Sequence, residues 1–134
     1  MGKYRYDCGL RTLLRMARIL IVEDNQKLLK MNRDQLEKAG YDVETALNGE
    51  QAIAMMDKKK IDLLLLDLLM PKVNGFGVMI HAREKKYTFP ILILTNLSQK
   101  IDRRECEKLG AIEFMVKSDN DIQDIVEKVR TILR

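Results

Sequence analysis

The sequence lacks the features that mark disulfide-stabilised, secreted and membrane-spanning proteins. Its two cysteines, Cys8 and Cys106, lie far apart without metal-ligand spacing, which argues against a disulfide framework and fits a reducing compartment. No apolar run approaches the roughly 18 residues of a membrane span. The N-terminus has basic residues but neither an apolar block nor a small-residue cleavage site. We therefore expect a cytoplasmic protein that does not contact a membrane.

The net charge of +4 belongs to the N-terminal segment. The first 18 residues hold five basic residues and one acidic residue, whereas the rest of the chain holds 19 of each. A neutral domain with a short basic segment gives little support for nucleic acid as a partner. We predict a basic extension at residues 1–16 and one domain at residues 17–134, because no linker or internal repeat divides the chain.

Short apolar segments alternate with longer amphipathic segments along most of the chain. β-type runs predict strands at 18–22, 41–46, 62–66, 90–94 and 112–116. Helical spacing predicts helices at 26–39, 49–58, 75–86, 98–109 and from 122 onward. In the first helix we expect one apolar face made by Leu28, Met31, Leu36 and Ala39. Five strand–helix pairs predict an α/β fold with a parallel sheet between two helical layers, because parallel strands need crossover connections.

One carboxylate, Asp67, lies inside the otherwise apolar run LLLLDLLMP at residues 63–71. An ionised side chain buried without a partner costs several kcal/mol, so Asp67 must either reach the rim of the core or have partners. It ends the third predicted strand, and ligands bind to parallel sheets at the carboxyl ends of the strands. Other polar residues at this predicted edge are Glu23, Asp24, Thr95 and Lys117.

Three carboxylates in one pocket repel one another unless a cation compensates them. Oxygen ligands with room for water suit Mg²⁺, which prefers octahedral coordination and keeps several waters. We predict that Asp24 and Asp67 bind the ion directly, that the backbone carbonyl of Leu69 is a third ligand, and that Glu23 acts through water.

The remaining polar groups at this edge suit a phosphoryl group. Lys117 supplies a fixed positive charge and Thr95 a hydroxyl donor, and both can stabilise the equatorial oxygens of a phosphoryl group in transfer. Asp67 is then the nucleophile, and its product is an aspartyl phosphate.

Four segments of the sequence resemble the receiver domain of bacterial two-component response regulators. They are ILIVEDN (19–25), LLLLDLLMPKVNG (63–75), ILILTN (91–96) and GAIEFMVKS (110–118). The resemblance extends over nearly the whole chain from residue 17 and implies a flavodoxin-like (βα)5 fold with strand order 2-1-3-4-5. By position it implies the following roles: Glu23 and Asp24 as the acidic pair, Asp67 as phosphoacceptor, Lys117 as the phosphate-pairing lysine, and Thr95 and Phe114 as switch residues.

The resemblance also implies partners. A histidine kinase or a phosphotransfer protein would donate the phosphoryl group, and an unknown downstream protein would recognise the result. Phosphorylation would draw Thr95 inward and let Phe114 follow, which changes the face of the fourth helix, fifth strand and fifth helix. Phe114 as a plain core residue is an equal alternative. We expect a monomer or weak dimer without enzymatic activity beyond its own phosphorylation and dephosphorylation.

Several positions depart from the family pattern. Ser118 replaces the usual proline after the lysine, and a cis bond before serine would cost about 2.5–4 kcal/mol, so we expect a trans bond there. Ser118 or Asp119 is then expected to cap the last helix. Leu69 and Leu97 occupy positions where many members carry polar groups. Because neither can hydrogen-bond an attacking water, we predict slow self-dephosphorylation.

Three other interpretations stay open at the level of sequence. A Mg²⁺-dependent phosphatase of the haloacid dehalogenase type also uses a strand-end aspartate, but it needs a second aspartate where this chain has Leu69. The chain can also be part of a longer regulator whose output is DNA binding or an enzyme. Finally, Asn96 and Ser118 leave open a receiver that signals by protein contact without phosphorylation.

Overall fold

The computed structural model describes residues 16–70, 74–96 and 100–134, and five strands alternate there with five α-helices. The elements are β1 (Arg18–Val22), α1 (Gln26–Lys38), β2 (Asp42–Ala46), α2 (Gly49–Lys58), β3 (Leu63–Leu66), α3 (Gly75–Glu84), β4 (Ile91–Thr95), α4 (Lys100–Lys108), β5 (Glu113–Val116) and α5 (Ile122–Leu133). All strand pairs are parallel and the strand order is β2-β1-β3-β4-β5, which confirms the predicted fold. The predicted boundary between extension and domain lies next to undescribed residues and stays a prediction.

The sheet buries both of its faces. Alternate residues of each strand point to opposite sides, so Leu20 and Leu64 pack under α2, α3 and α4, whereas Ile21 and Leu65 pack under α1 and α5. This double burial explains why the strands are apolar at nearly every position.

The buried face of α1 differs from the predicted one. Leu29, Asn32 and Leu36 are buried, whereas Met31 is 48% exposed, so its assignment to the apolar face was wrong. Two overlapping apolar series, one starting at Leu28 and the other at Leu29, differ by a rotation of one residue. Because Asn32 is polar, a search for hydrophobic periodicity does not detect the second series.

Within the described ranges, three helices end with the same backbone motif, in which the chain enters the left-handed region just beyond the helix. Glycine occupies this position after α1 and α4, as Gly40 and Gly110, both with φ of 103°. Lys86 occupies it after α3 with φ of 61°. In each case the next amide bonds to a carbonyl five residues earlier: Tyr41 to Leu36, Tyr87 to Ala82 and Ala111 to Cys106. A side chain in this conformation costs roughly 1–2 kcal/mol, so the fold does not by itself explain a lysine there.

The start of α5 also departs from expectation. Asp121 accepts a hydrogen bond from the Asp124 amide, and the Asp124 side chain accepts one from the Asp121 amide, which forms a capping box. The prediction that Ser118 or Asp119 caps this helix was wrong, because both lie in a short 3-10 turn at Lys117–Asp119. The bond before Ser118 is trans as predicted, since the described residues include no cis peptide.

Candidate functional site

The register of the sheet places Glu23 and Asp67 side by side. Val22 of β1 pairs with Leu66 of β3, so the next residue of each strand leaves the sheet at the same point. The Asp67 amide donates to the Val22 carbonyl at 3.1 Å and extends this pairing by one residue. Both carboxylates are buried, with exposed fractions of 3% for Glu23 and 4% for Asp67. Parallel pairing therefore brings two acids together at the rim of the core.

A third carboxylate, that of the exposed Asp24, completes an acidic cluster. Carboxylate oxygens of Glu23, Asp24 and Asp67 all lie within 4.8 Å of one another. The cluster combines two buried acids with one that faces solvent, which is the kind of oxygen donor set that binds Mg²⁺ while leaving room for water. The Leu69 amide donates to Asp67 Oδ1 at 3.2 Å and orients the Asp67 side chain, while the Leu69 side chain is 56% exposed. The predicted role of the Leu69 carbonyl stays a prediction.

Lys117 bridges the two buried acids. Val116 of β5 pairs with Thr95 of β4, so Lys117 follows at the same edge of the sheet. Its Nζ lies 2.7 Å from Glu23 Oε1 and 3.1 Å from Asp67 Oδ2. Burial alone would lower the pKa of Lys117, but the hydrogen bond to Glu23 and the charge of Asp67 outweigh it and raise that pKa. The ammonium therefore stays charged at neutral pH.

Burial raises the pKa of Glu23, although hydrogen bonds from Lys117 and from the Asn25 amide at 3.0 Å oppose the rise. With all groups ionised, three carboxylates face one ammonium, which leaves two uncompensated negative charges. One divalent cation would balance them. The charge and the donor atoms of these residues thus fit Mg²⁺.

Gly75 lets α3 start against the backbone that carries Asp67. A Cβ at this position would lie 2.7 Å from the Asp67 carbonyl oxygen and 2.7 Å from Leu68 Cα, closer than van der Waals contact allows. The Gly75 amide donates to the Leu68 carbonyl at 3.2 Å, and Asn74 caps the helix. Glycine is therefore required here for close backbone packing, next to residues 71–73 that lie outside the described part.

The two predicted switch residues lie in adjacent strands. Thr95 ends β4 and is fully buried, and Phe114 lies in β5 with 7% of its surface exposed. The Phe114 ring packs in the core on the side of α4, where the Arg103 guanidinium lies over it. The structure thus holds Phe114 inward, an arrangement that suits both a switch residue and a plain core residue.

One residue of the site was missed by sequence reasoning. Asn32 of α1 is only 4% exposed and borders a packing gap, too small for a water molecule, whose lining includes Glu23 and Asp67. Its side chain forms no hydrogen bond with the described residues. A usable signal existed, because Asn32 lies three residues after Leu29 and four before Leu36, on the stripe that faces the sheet.

Two residues near the site, Asn96 and Leu97, depart from the family pattern. Asn96, which follows Thr95, is exposed at the carboxyl edge of the sheet. Leu97, predicted to slow dephosphorylation, lies outside the described residues. No helix in the described ranges is long and apolar enough to cross a membrane.

Comparison with known proteins agrees with the resemblance seen in the sequence. The family model for the response regulator receiver domain matches residues 19–130. The chain is 36% identical over 117 residues to the alkaline phosphatase synthesis transcriptional regulatory protein PhoP of Bacillus subtilis, covering 87% of this chain and 48% of that protein. It is 39% identical over 119 residues to the transcriptional regulatory protein CpxR of Escherichia coli K12, covering 89% and 50%. The chain thus spans about half the length of these curated relatives.

Solved structures agree with the sequence comparison. The response regulator TrrA of Thermotoga maritima, in complex with Mg(2+)-BeF, superimposes with a TM-score of 0.78 at 34% identity, covering 88% of this chain and all of that chain. The chemotaxis protein CheY4 of Vibrio cholerae gives a TM-score of 0.81 at 30% identity, with coverage of 88% and 99%.

Proposed function

Because the chain belongs to the family of response regulator receiver domains, we propose that Asp67 is its phosphoacceptor and that a histidine kinase or phosphotransfer protein is the donor. One observation carries the assignment of Asp67: Lys117 Nζ contacts both Asp67 and Glu23 within an acidic cluster at the carboxyl edge of the sheet. Two buried acids sharing one ammonium are not needed for folding, since apolar residues of similar size fill a core at least as well.

The proposed reaction is a transfer between two side chains. An Asp67 carboxylate oxygen attacks phosphorus, the bond from phosphorus to the donor's imidazole nitrogen breaks, and that nitrogen keeps the electron pair. Lys117 then pairs with a phosphoryl oxygen instead of Asp67 Oδ2, and the Thr95 hydroxyl donates to another. Asp24, Asp67 and the Leu69 carbonyl would hold Mg²⁺, with Glu23 acting through water, and the bound ion would neutralise charge on the phosphoryl oxygens.

The proposed consequence is a change of protein contacts. Thr95 moves toward the phosphoryl group, Phe114 follows, and the face formed by α4, β5 and α5 presents a different surface to a downstream protein. We propose that the domain acts in the cytoplasm as a monomer or weak dimer, without binding nucleic acid itself. The transcriptional output that the names of the longer relatives indicate is not part of this proposal.

The direct test is the intact mass of the chain after incubation with acetyl phosphate and Mg²⁺. We expect one phosphoryl adduct on the parent and none on Asp67→Asn. Asp34→Asn is a matched control, because Asp34 is a partly exposed aspartate of α1 that pairs with Lys30 and does not belong to the acidic cluster. It should be phosphorylated like the parent. An unmodified parent, or an adduct that persists on Asp67→Asn, would contradict the proposal.

A further inference from the structure

A second concave site lies at the amino edge of the sheet, opposite the acidic cluster. It is a cavity of about 480 Å³, widely open to solvent, between the end of α2, the start of β3 and the segment 86–90 that leads into β4. Cavities of this size are typical of small-molecule sites. Nothing in the proposed phosphotransfer uses it.

The walls of this cavity are positively charged. Lys59, Lys60 and Lys86 line it, and Lys60 and Lys86 form no ion pair with the described residues. Lys59 is partly neutralised by Glu44, at 2.9 Å. Among the described lining residues the one acid is Asp62, and the Arg18 amide donates to its Oδ2 at 2.7 Å. The cavity therefore attracts anions.

The same cavity has an apolar and aromatic side. Met56 and Ile61 are buried beneath it, and the Tyr87 and Phe89 rings stack with centroids 5.5 Å apart and an angle of 27°. The Tyr87 hydroxyl donates to Asp57, which also contacts His81 Nε2 at 3.0 Å. The aromatic wall is thus fixed before any ligand arrives, which lowers the entropy lost on binding.

The backbone conformation of Lys86 is an independent indication that the positive charge of its side chain is functional. Lys86 occupies the left-handed position after α3 where the equivalent positions after α1 and α4 hold glycine. Glycine would keep the same backbone without a Cβ penalty, so the backbone conformation alone does not account for a lysine at this position.

We propose that this cavity binds a nucleoside polyphosphate, with its base against the Tyr87–Phe89 wall and its phosphates on Lys60 and Lys86. The ligand class follows from the combination, because a bare phosphate does not use the aromatic wall and an uncharged ring does not use the lysines. The chain's own residues 1–15 are poor occupants, since they hold four basic residues and one acidic residue.

The test is isothermal titration calorimetry of the full chain with ATP, in metal-free buffer so that ATP is not bridged to the acidic cluster. We expect saturable binding with a Kd of roughly 1 mM or tighter. Lys86→Gly and Lys60→Ala should each weaken it by about five-fold or more. Lys85→Ala is the matched control, because Lys85 is the exposed neighbour outside the cavity, and it should leave the Kd nearly unchanged.

Two further measurements make the outcome decisive. Lys86→Gly is expected to keep or raise the thermal unfolding temperature, so weaker binding cannot be ascribed to unfolding. Tripolyphosphate and adenosine should each bind more weakly than ATP. The proposal is overturned if ATP does not saturate, if Lys85→Ala weakens binding as much as Lys86→Gly, or if tripolyphosphate binds as tightly as ATP. Phosphorylation of Asp67 by acetyl phosphate is measured separately and does not depend on this result.

Discussion

The Arg103 guanidinium lies 5.3 Å from the centre of the Phe114 ring and donates a hydrogen bond to the Phe114 carbonyl at 3.4 Å. One side chain of α4 therefore holds both the ring and the backbone of β5. A cation over an aromatic face attracts it by about 0.5–1 kcal/mol at an exposed site. Arg103 thus favours the inward position of Phe114.

This contact predicts a measurable coupling between the two side chains. In a double-mutant cycle of Arg103→Ala and Phe114→Leu, followed by urea unfolding, we expect a coupling of about 0.5–1 kcal/mol. Arg104→Ala, a change of the exposed neighbour, should show none with Phe114→Leu. Additive effects of Arg103→Ala and Phe114→Leu would mean that the contact does not hold the ring.

Gly75→Ala should damage the acidic site through the backbone. The new Cβ would push against the Asp67 carbonyl and Leu68, and overpacking of this kind costs about 1–3 kcal/mol of unfolding free energy. We expect lower stability together with less phosphoryl adduct in the mass assay. Gly40→Ala is the control, because its Cβ has open space and only the positive φ opposes it. Gly40→Ala should lose stability but be phosphorylated like the parent. Equal phosphorylation of Gly75→Ala and Gly40→Ala would contradict this prediction.

Asn32→Leu is expected to stabilise the domain. The Asn32 amide is buried without a hydrogen bond to the described residues, and leaving such a group unsatisfied costs about 1–3 kcal/mol. Chemical unfolding should therefore show a higher free energy for the variant. Met31→Leu, an exposed position of the same helix, should change little. A destabilised Asn32→Leu would contradict this prediction, because it would show that the amide is accommodated there better than an apolar side chain of similar size.

The contact between Tyr87 and Asp57 predicts a pH-dependent contribution to stability. Hydrogen bonds from Tyr87 and then His81 hold the pKa of Asp57 below its ordinary value of 3.8. A lowered folded-state pKa contributes stability that is present above 3.8 and is lost as the pH falls through the folded value. We expect Tyr87→Phe to be less stable than the parent at neutral pH, with a gap that narrows below pH 3.8. A gap that stays constant in acid would argue against this linkage.

Leu69→Asn should shorten the lifetime of the aspartyl phosphate. Leu69 is 56% exposed beside Asp67 and offers an attacking water no hydrogen bond, whereas asparagine can orient one. We expect several-fold faster loss of the phosphoryl adduct, followed by mass spectrometry over time. Leu69→Met, of similar size and polarity, should decay like the parent. Equal decay rates for Leu69→Asn and the parent would contradict the proposed role of Leu69 in slow dephosphorylation.

The sequence alone determined the fold and the edge where the chemistry lies. Continuous apolar strands separated by amphipathic helices are compatible with few arrangements, and the carboxyl ends of parallel strands must meet at one edge. Asp67, Glu23 and Lys117 could therefore be selected from their positions just after apolar runs.

Tertiary structure decided what a one-dimensional pattern does not contain. Which of the two apolar series of α1 faces the sheet depends on a helix rotation of one residue. The burial of Asn32 could therefore be recognised only from the packed helix. The cap of α5 moved to Asp121 because an extra 3-10 turn used the residues before it. The contacts of Lys117 with both Glu23 and Asp67 depend on strand register, which fixes distances between segments far apart in the chain. Local sequence sets which groups reach an edge, and only packing sets which of them touch.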